Sequence, residues 1–276
     1  MAPYTQYKGG LAADTLLTPS PAIWADAPIT QIQCHETQGH YFFDDFLSFL
    51  EPATGITTPA EVQAGPYRFE QTLGVTVLSL ANTDHGVIQV GGNDADNDGS
   101  VMSYGHQAGM ARFGDNDSVW FECRIKKVNV TDEGVGFFIG LYEGTVTPTE
   151  DTTLVADTAD PDASEDFIGF SNLLADGDVV EPIYQIGGTA QVNTGDIAIA
   201  ADTYLKLGLR FKRGTLEFYL NGLKVNSTDT RALANTVFPK TNHLSPLFAT
   251  KVGTAAAAVV SVDWWGFCAT ADDRVS

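Results

Sequence analysis

The stretch that decides the fold is residues 203–225, TYLKLGLRFKRGTLEFYLNGLKV. Side chains alternate between the two faces of a β-strand, so this pattern predicts strands with one apolar face. Arg213-Gly214 and Asn221-Gly222 interrupt the alternation and are typical of tight hairpin turns. The face opposite the apolar one carries Lys206, Arg210 and Lys212. We therefore expect a meander whose apolar face packs on a second sheet and whose basic face lies in water.

Alternating or apolar stretches recur along most of the chain and predict an all-β protein. The further predicted strands are residues 41–49, 73–80, 86–91, 118–128, 135–142, 166–171, a stretch near Ile183, 244–251 and 256–267. Residues 135–142 are almost entirely apolar, which is typical of a central strand covered on both faces.

Several motifs together resemble one known family. The Leu-Gly-Leu-x-Phe strand at 207–211 and the Phe-Tyr-Leu-Asn-Gly strand at 218–222 resemble the concanavalin A-like lectin/glucanase superfamily. The segments FFDDF at 42–46, WFECR at 120–124 and SVDWWGF at 261–267 fit the same pattern. The resemblance implies a jelly-roll sandwich of two antiparallel sheets with an extended N-terminal arm. The versions carried by tailed-phage structural proteins are the most similar.

Three regions are expected: an extended arm at 1–40, the jelly-roll domain at 41–270 and a short tail at 271–276. The arm contains four prolines and no sustained periodicity, so neither a long helix nor a central strand is expected there. It either wraps its own domain or anchors on a partner through large apolar and aromatic side chains. The candidate anchors are Tyr4, Tyr7, Leu16, Leu17, Ile23 and Trp24.

Composition narrows the function classes. The 276 residues include 35 acidic and 15 basic side chains, giving a net charge of -20. Such a surface is a poor match for nucleic acid or anionic membranes, because both are bound through basic groups. No apolar run is long enough to span a membrane. The first residues lack a secretory signal pattern, and free thiols are the favoured state of Cys34, Cys123 and Cys268, with one disulfide as the alternative. Cys123 is expected in the core.

One acidic loop suggests a cation. Asp94, Asp96 and Asp98 place oxygens at alternate positions before Gly99, as in the first half of a calcium loop. The acid required at the twelfth position is missing, because Gly105 stands there. The alternative is a solvated turn, which the same residues favour. No other cofactor is expected.

No catalytic constellation emerges from the sequence. Glucanases of this superfamily carry a Glu-x-Asp-x-x-Glu strand, since glycoside hydrolysis needs a pair of carboxylates. That spacing does not occur here. Trp120 and Tyr219 fall on the polar faces of their strands and are expected to face away from the core. Trp264 and Trp265 are adjacent, so one of them must face out of the core or into the other layer. Trp120, Tyr219 and Trp264 are the candidate sugar-stacking residues. They either stack on sugars or pack under loops or against another subunit.

The resemblance implies a non-enzymatic virion protein. The first hypothesis is a capsid decoration or cement protein on the capsid exterior, made in the host cytoplasm, which bridges copies of the major capsid protein. A homo-oligomer, guessed to be a trimer, is expected with it. The alternative is a carbohydrate-binding, lectin-like module on a virion surface.

Overall fold

Two antiparallel sheets make up the protein in a computed structural model. It describes residues 18–46, 60–64, 66–71, 77–80, 86–91, 96, 99–105, 109–143, 155, 164–189, 192–225, 234–253 and 259–270. The helices are α1 (Pro21–Trp24) and α2 (Ile29–Cys34), followed by a 3₁₀ turn at Glu36–Gln38. The strands are β1 (Gly39–Asp44), β2 (Ala60–Ala64), β3 (Tyr67–Gln71), β4 (Val77–Leu80), β5 (Ile88–Gly91), β6 (Gly99–Tyr104), β7 (Ser118–Lys127), β8 (Val135–Tyr142), β9 (Phe167–Asn172), β10 (Val179–Gln185), β11 (Val192–Asn193), β12 (Ile197–Ala198), β13 (Thr203–Lys212), β14 (Thr215–Leu220), β15 (Leu223–Lys224), β16 (Ser245–Val252) and β17 (Val259–Thr270).

Sheet A has the order β15-β14-β13-β7-β17-β5-β4 in the described part of the chain, and β1 also pairs with β17. The decisive stretch forms β13, β14 and β15, as predicted. Its two turns place Arg213, Gly214, Asn221 and Gly222 at positive φ. β17 is the central strand, because its first half pairs with β5, its second half with β1, and its opposite edge with β7.

Sheet B has the order β11-β10-β9-β8-β16-β6-β3-β2 over the same described ranges, with β12 also paired to β10. Every residue of β8 is buried, which confirms the prediction of a central strand covered on both faces. The β2–β3 hairpin and β6 were not predicted from the sequence.

The core lies between the inner faces of the two sheets. Trp265 is its largest central ring and packs near Phe42, Phe46, Tyr67 and Phe121. A second aromatic group surrounds Phe113, Phe211 and Phe238 near one end of the sandwich. Cys123 is fully buried in this core, as predicted, and all three cysteines are free thiols.

Residues 18–38, here called the N-terminal strap, lie against the outer face of sheet A. The strap covers β7, β13 and β17 through α1, α2 and the turns between them. The expectation that the basic face of the meander lies in water is therefore wrong. Lys206 is 1% exposed, and Arg210 and Lys212 are half-buried at the edge of the strap.

Within the described residues, no helix has the length and apolar character needed to cross a membrane.

Candidate functional site

The strap holds two of the predicted partner anchors. Ile23 is fully buried and Trp24 is 3% exposed, and both pack against Trp120, Tyr219 and Cys268 of sheet A. The structure corrects the prediction for these two residues, because their side chains bury their own sheet and are not available to a partner. Tyr4, Tyr7, Leu16 and Leu17 lie outside the described residues.

The predicted sugar-stacking aromatics face outward but are covered. Trp120 is 2% exposed and Tyr219 is 5% exposed beneath the strap, and Trp264 is 3% exposed beside Phe43. Alternation along β7 and β14 gave the orientation of Trp120 and Tyr219 correctly, whereas Trp264 faces outward because the register of β17 shifts between Val262 and Trp264. The structure corrects the expectation that these rings stack on sugars, because none of the three has a free face for a sugar.

A buried carboxylate holds the strap in place. Glu122 on β7 is fully buried, and its Oε2 accepts hydrogen bonds from the Ser20 backbone N–H at 2.8 Å and the Trp24 indole at 2.7 Å. Its Oε1 has no hydrogen-bond partner among the described residues. Burial raises the pKa of Glu122, against the opposing hydrogen bonds of Ser20 and Trp24 and the positive charge of Lys206.

A charged layer borders the strap on the β14 side. Burial works to raise the pKa of Asp26, but hydrogen bonds from Lys212 and Trp120 and the charges of Lys212 and Arg210 outweigh it and hold that pKa below its ordinary value. The pKa of Glu217 is also lowered, because the effect of burial is outweighed by hydrogen bonds from Tyr219, Arg210 and Lys224. The strap is thus joined to sheet A by a buried apolar contact and a rim of ion pairs.

The acidic loop gives no cation site in the described residues. Asp96 is exposed, and Asp94 and Asp98 lie outside the described part. No group of three or more His, Cys, Asp or Glu side chains in the described ranges is arranged to hold a metal ion.

The outer face of sheet B is also covered. Phe138, Phe167, Ile183 and Leu247 form a buried apolar cluster there together with Val155, which is 1% exposed. Val155 lies between β8 and β9 in the chain, and its side chain packs on the sheet face. Neither sheet face therefore offers an open groove in the described structure.

Two of the clefts among the described residues lie at the periphery of the sandwich. One, of about 670 Å³, runs along the edge strand β1 beside α2 and is lined by Ile32, Gln33, Gly39, His40, Tyr41, Phe42 and Phe43. The other, of about 390 Å³, lies at one end of sheet B and is lined by Gly109, Tyr142, Glu143, Thr241, Asn242, His243 and Ser245. We call the second one the polar cleft, because most of its lining side chains carry hydrogen-bonding groups.

Strand ends and one tight loop build the polar cleft. Tyr142 ends β8 and pairs with Ser245 at the start of β16, so the residues that flank this pair converge. The loop before β16 is fixed by two backbone hydrogen bonds of 2.8 Å between Ala111 and Leu244. Gly109 has φ +57, and a Cβ there would lie 2.6 Å from His243 Cβ. A glycine is therefore required for the loop to close over this end of the sheet.

A bridging amide organises the polar groups of the cleft. Asn242 Nδ2 donates to Glu143 Oε2 at 2.9 Å and to Asp166 Oδ2 at 3.1 Å. Asp166 is 2% exposed and also accepts from the Gly187 N–H at 2.7 Å, so it is a fixed support behind the amide. Glu143 and His243 reach solvent more freely. Planar acceptors and hydroxyls around one small concavity can bind a polyhydroxylated ligand.

Sequence reasoning missed this cleft. Its lining residues come from three separate segments, and none belongs to a recognisable motif. The available signal was weak: a carboxylate directly after an apolar strand at Glu143, and a Thr-Asn-His run before another at 241–243.

Comparison with known proteins gives the fold and little more. No family model matches the chain, and no curated protein matches it. Among solved structures, arcelin-5, a lectin-like defense protein from Phaseolus vulgaris, is similar with a TM-score of 0.53 at 10% identity, covering 83% of this chain and 97% of that chain. A protein of unknown function from Shewanella oneidensis MR-1 gives 0.49 at 13% identity, with 88% and 94% covered. A prokaryotic β-1,3-1,4-glucanase (lichenase) from a mouse hindgut metagenome gives 0.49 at 11%, with 82% and 98% covered. The likeness to arcelin-5 confirms the predicted concanavalin A-like jelly-roll sandwich.

Proposed function

We propose that the protein is a carbohydrate-binding, lectin-like module and that the polar cleft is its sugar site. The observation that carries the proposal is the Asn242 amide held between two carboxylates at the mouth of a cleft of about 390 Å³. Sugar hydroxyls both donate and accept hydrogen bonds, so fixed planar groups of this kind recognise their positions.

Binding without hydrolysis fits the arrangement of the acids. Glycoside cleavage requires two carboxyl groups that both face the scissile bond. Asp166 is 2% exposed, and both of its oxygens accept hydrogen bonds from the protein. Among the described residues, Glu143 is therefore the single carboxylate that lines the polar cleft, and we propose a binding role for it.

A glycan array followed by calorimetric titration tests this proposal. We expect saturable binding by the full chain and a loss of about tenfold or more in affinity for Asn242→Ala, because the variant loses the amide oxygen that faces the ligand and the amide N–H that positions Glu143. Asn193→Ala is the matched control, since Asn193 is an exposed asparagine bonded to Asp196 away from the cleft. Absence of binding by the folded protein, or full binding by Asn242→Ala, contradicts the proposal.

A second proposal keeps the virion role that the sequence resemblance implies. The protein would decorate the capsid exterior as a homo-oligomer, bridging copies of the major capsid protein, without contacting nucleic acid or membrane. What favours it is that both sheet faces are covered by the chain itself, as expected of a scaffold that uses its edges and loops. Sedimentation of undecorated capsids with added protein measures this directly, and saturable co-sedimentation is expected.

The remaining arm anchors can be tested in the same assay. Removing residues 1–17 deletes Tyr4, Tyr7, Leu16 and Leu17 and retains every strap contact that the structure describes. If these residues are the capsid anchors, the shortened protein stays folded and no longer sediments with capsids. Undiminished sedimentation would refute the anchoring role, and absence of capsid binding by the full chain would refute decoration.

A further inference from the structure

We infer that the polar cleft selects neutral sugar units and rejects acidic ones; this inference rests on the proposed carbohydrate-binding function. The candidate ligand is a hexose that presents hydroxyls only. The corresponding uronic acid, which differs by a carboxylate at C6, is the unit that the cleft excludes. Glu143 is the residue that determines this specificity.

Asn242 and Glu143 present hydrogen-bond acceptors to a ligand in the polar cleft. Both N–H groups of the Asn242 amide are used within the protein, by Glu143 and Asp166. Asn242 therefore offers its Oδ1 to a ligand, and Glu143 offers its second carboxylate oxygen. Both are acceptors, so a ligand group that meets them must donate. A hydroxyl donates, whereas a carboxylate only accepts.

The negative charge of the polar cleft also disfavours an acidic sugar. Within the described structure, neither Glu143 nor Asp166 forms an ion pair with a cation, and the residues that line the cleft include no Lys or Arg. Lys240 lies next to this loop in sequence, is exposed and does not line the cleft. An anionic sugar would place its charge near an uncompensated carboxylate on a protein of net charge -20.

Matched sugar pairs provide the test, using the full chain with oligosaccharides ending in glucose or glucuronate, galactose or galacturonate, and mannose or mannuronate. For the pair whose neutral member binds, we expect at least about tenfold weaker binding of the acidic member at low salt. Because the discrimination is electrostatic, it should shrink as ionic strength rises. Purely steric exclusion would leave the ratio unchanged by salt.

Variants assign the effect to the polar cleft. Glu143→Gln keeps the shape and removes the charge, so the neutral-to-acidic ratio should fall severalfold. Glu133→Gln is the control, because Glu133 precedes β8 at its opposite end and is similarly half-exposed. Thr241→Lys adds a cation at an exposed lining position and should increase affinity for the acidic member without relying on a buried change.

The outcomes separate the two proposals. Equal or tighter binding of the acidic member overturns the selectivity and leaves carbohydrate binding intact. A neutral preference that Glu143→Gln and Thr241→Lys both leave unchanged also overturns it, because the charge of the cleft would then be irrelevant. Binding on the glycan array with none of the six sugars bound overturns the neutral-hexose assignment and leaves carbohydrate binding intact, and absence of any binding on the array overturns both proposals.

Discussion

At the residue scale, Glu122 is the most informative side chain. It is a fully buried carboxylate on the outer face of a sheet, held by the backbone of Ser20 and the ring of Trp24, with Oε1 lacking a partner among the described residues. A buried charge that is only partly compensated costs stability. Burial raises its pKa, which means that the folded protein binds this proton more tightly than the unfolded chain does.

Replacing Glu122 by Gln should therefore change how stability depends on pH. The contribution of Glu122 is fully present below its ordinary pKa of 4.5 and is lost as pH rises through the higher folded-state pKa. At pH 7 we expect Glu122→Gln to melt about 1–3 °C above the natural protein, and the difference should vanish towards pH 4. Thermal unfolding followed between pH 4 and 8 measures both.

Glu217→Gln is the matched comparison of opposite sign. The pKa of Glu217 is lowered, so its contribution is present above the ordinary value and is lost as pH falls through the folded-state pKa. This variant should be less stable than the natural protein at pH 7. A Glu122→Gln protein that is destabilised at pH 7, as Glu217→Gln is expected to be, would show that burial of Glu122 is fully compensated.

Alternation along strands predicted which way residues point but not what covers them. Cys123 was placed in the core and Trp120 on the opposite face of β7, both correctly. The same rule assigned Lys206 to water, yet this residue is 1% exposed. Period-two alternation describes one strand, whereas burial depends on a segment that lies more than 160 residues earlier in the chain.

At the scale of elements, the strap is the feature that local sequence does not predict. α1 has four residues and α2 has six, and neither has a side-chain hydrogen bond at its N-cap. Helices this short are not stable alone, so their conformation comes from contact with sheet A. The sequence left two roles open for the arm, wrapping its own domain or anchoring on a partner. Residues 18–38 wrap their own domain.

Because Gly208 on β13 has no side chain, Ile23 of the strap can pack closely on sheet A. A Cβ at Gly208 would lie 2.3 Å from Ile23 Cδ1, so Gly208→Val should displace Ile23 at a cost of about 1–3 kcal/mol. We expect faster hydrogen exchange of the amides in residues 20–35, with little change in β8 or β16. Ala198→Val, at an exposed position of β12, is the control. Unchanged exchange in the strap would mean that Ile23 does not hold it.

At the scale of the whole molecule, the sandwich could be predicted because many strands repeat the same alternation of apolar and polar residues. An error in one strand therefore does not change the predicted fold. The polar cleft could not be predicted in this way. Gly109, Glu143, Asp166 and Asn242 come from loops whose meeting depends on register between three strands. A one-residue change in that register would separate them without altering the apolar pattern of the fold.

Removing residues 1–38 should expose the outer face of sheet A. Trp120, Tyr219 and Cys268 would lose their cover, and an exposed apolar patch of this kind promotes association. We expect the shortened protein to bind a hydrophobic dye and to self-associate, while the variant lacking residues 1–17 stays as the full chain. Light scattering with dye fluorescence measures both. A monomeric, dye-negative protein without residues 1–38 would show that the strap is dispensable.

The position of β17 has a consequence for biosynthesis. The strand that joins β7, β5 and β1 spans Val259–Thr270, and its partner β1 begins at Gly39, which pairs with Thr270. Sheet A therefore lacks its middle until the ribosome has made β17, and among the described strands β1 has no other neighbour in that sheet. Sheets closed by such distant pairings form slowly. The nascent chain must carry unpaired strand edges until β17 has been made, so chaperone demand should peak just before β17 leaves the ribosome.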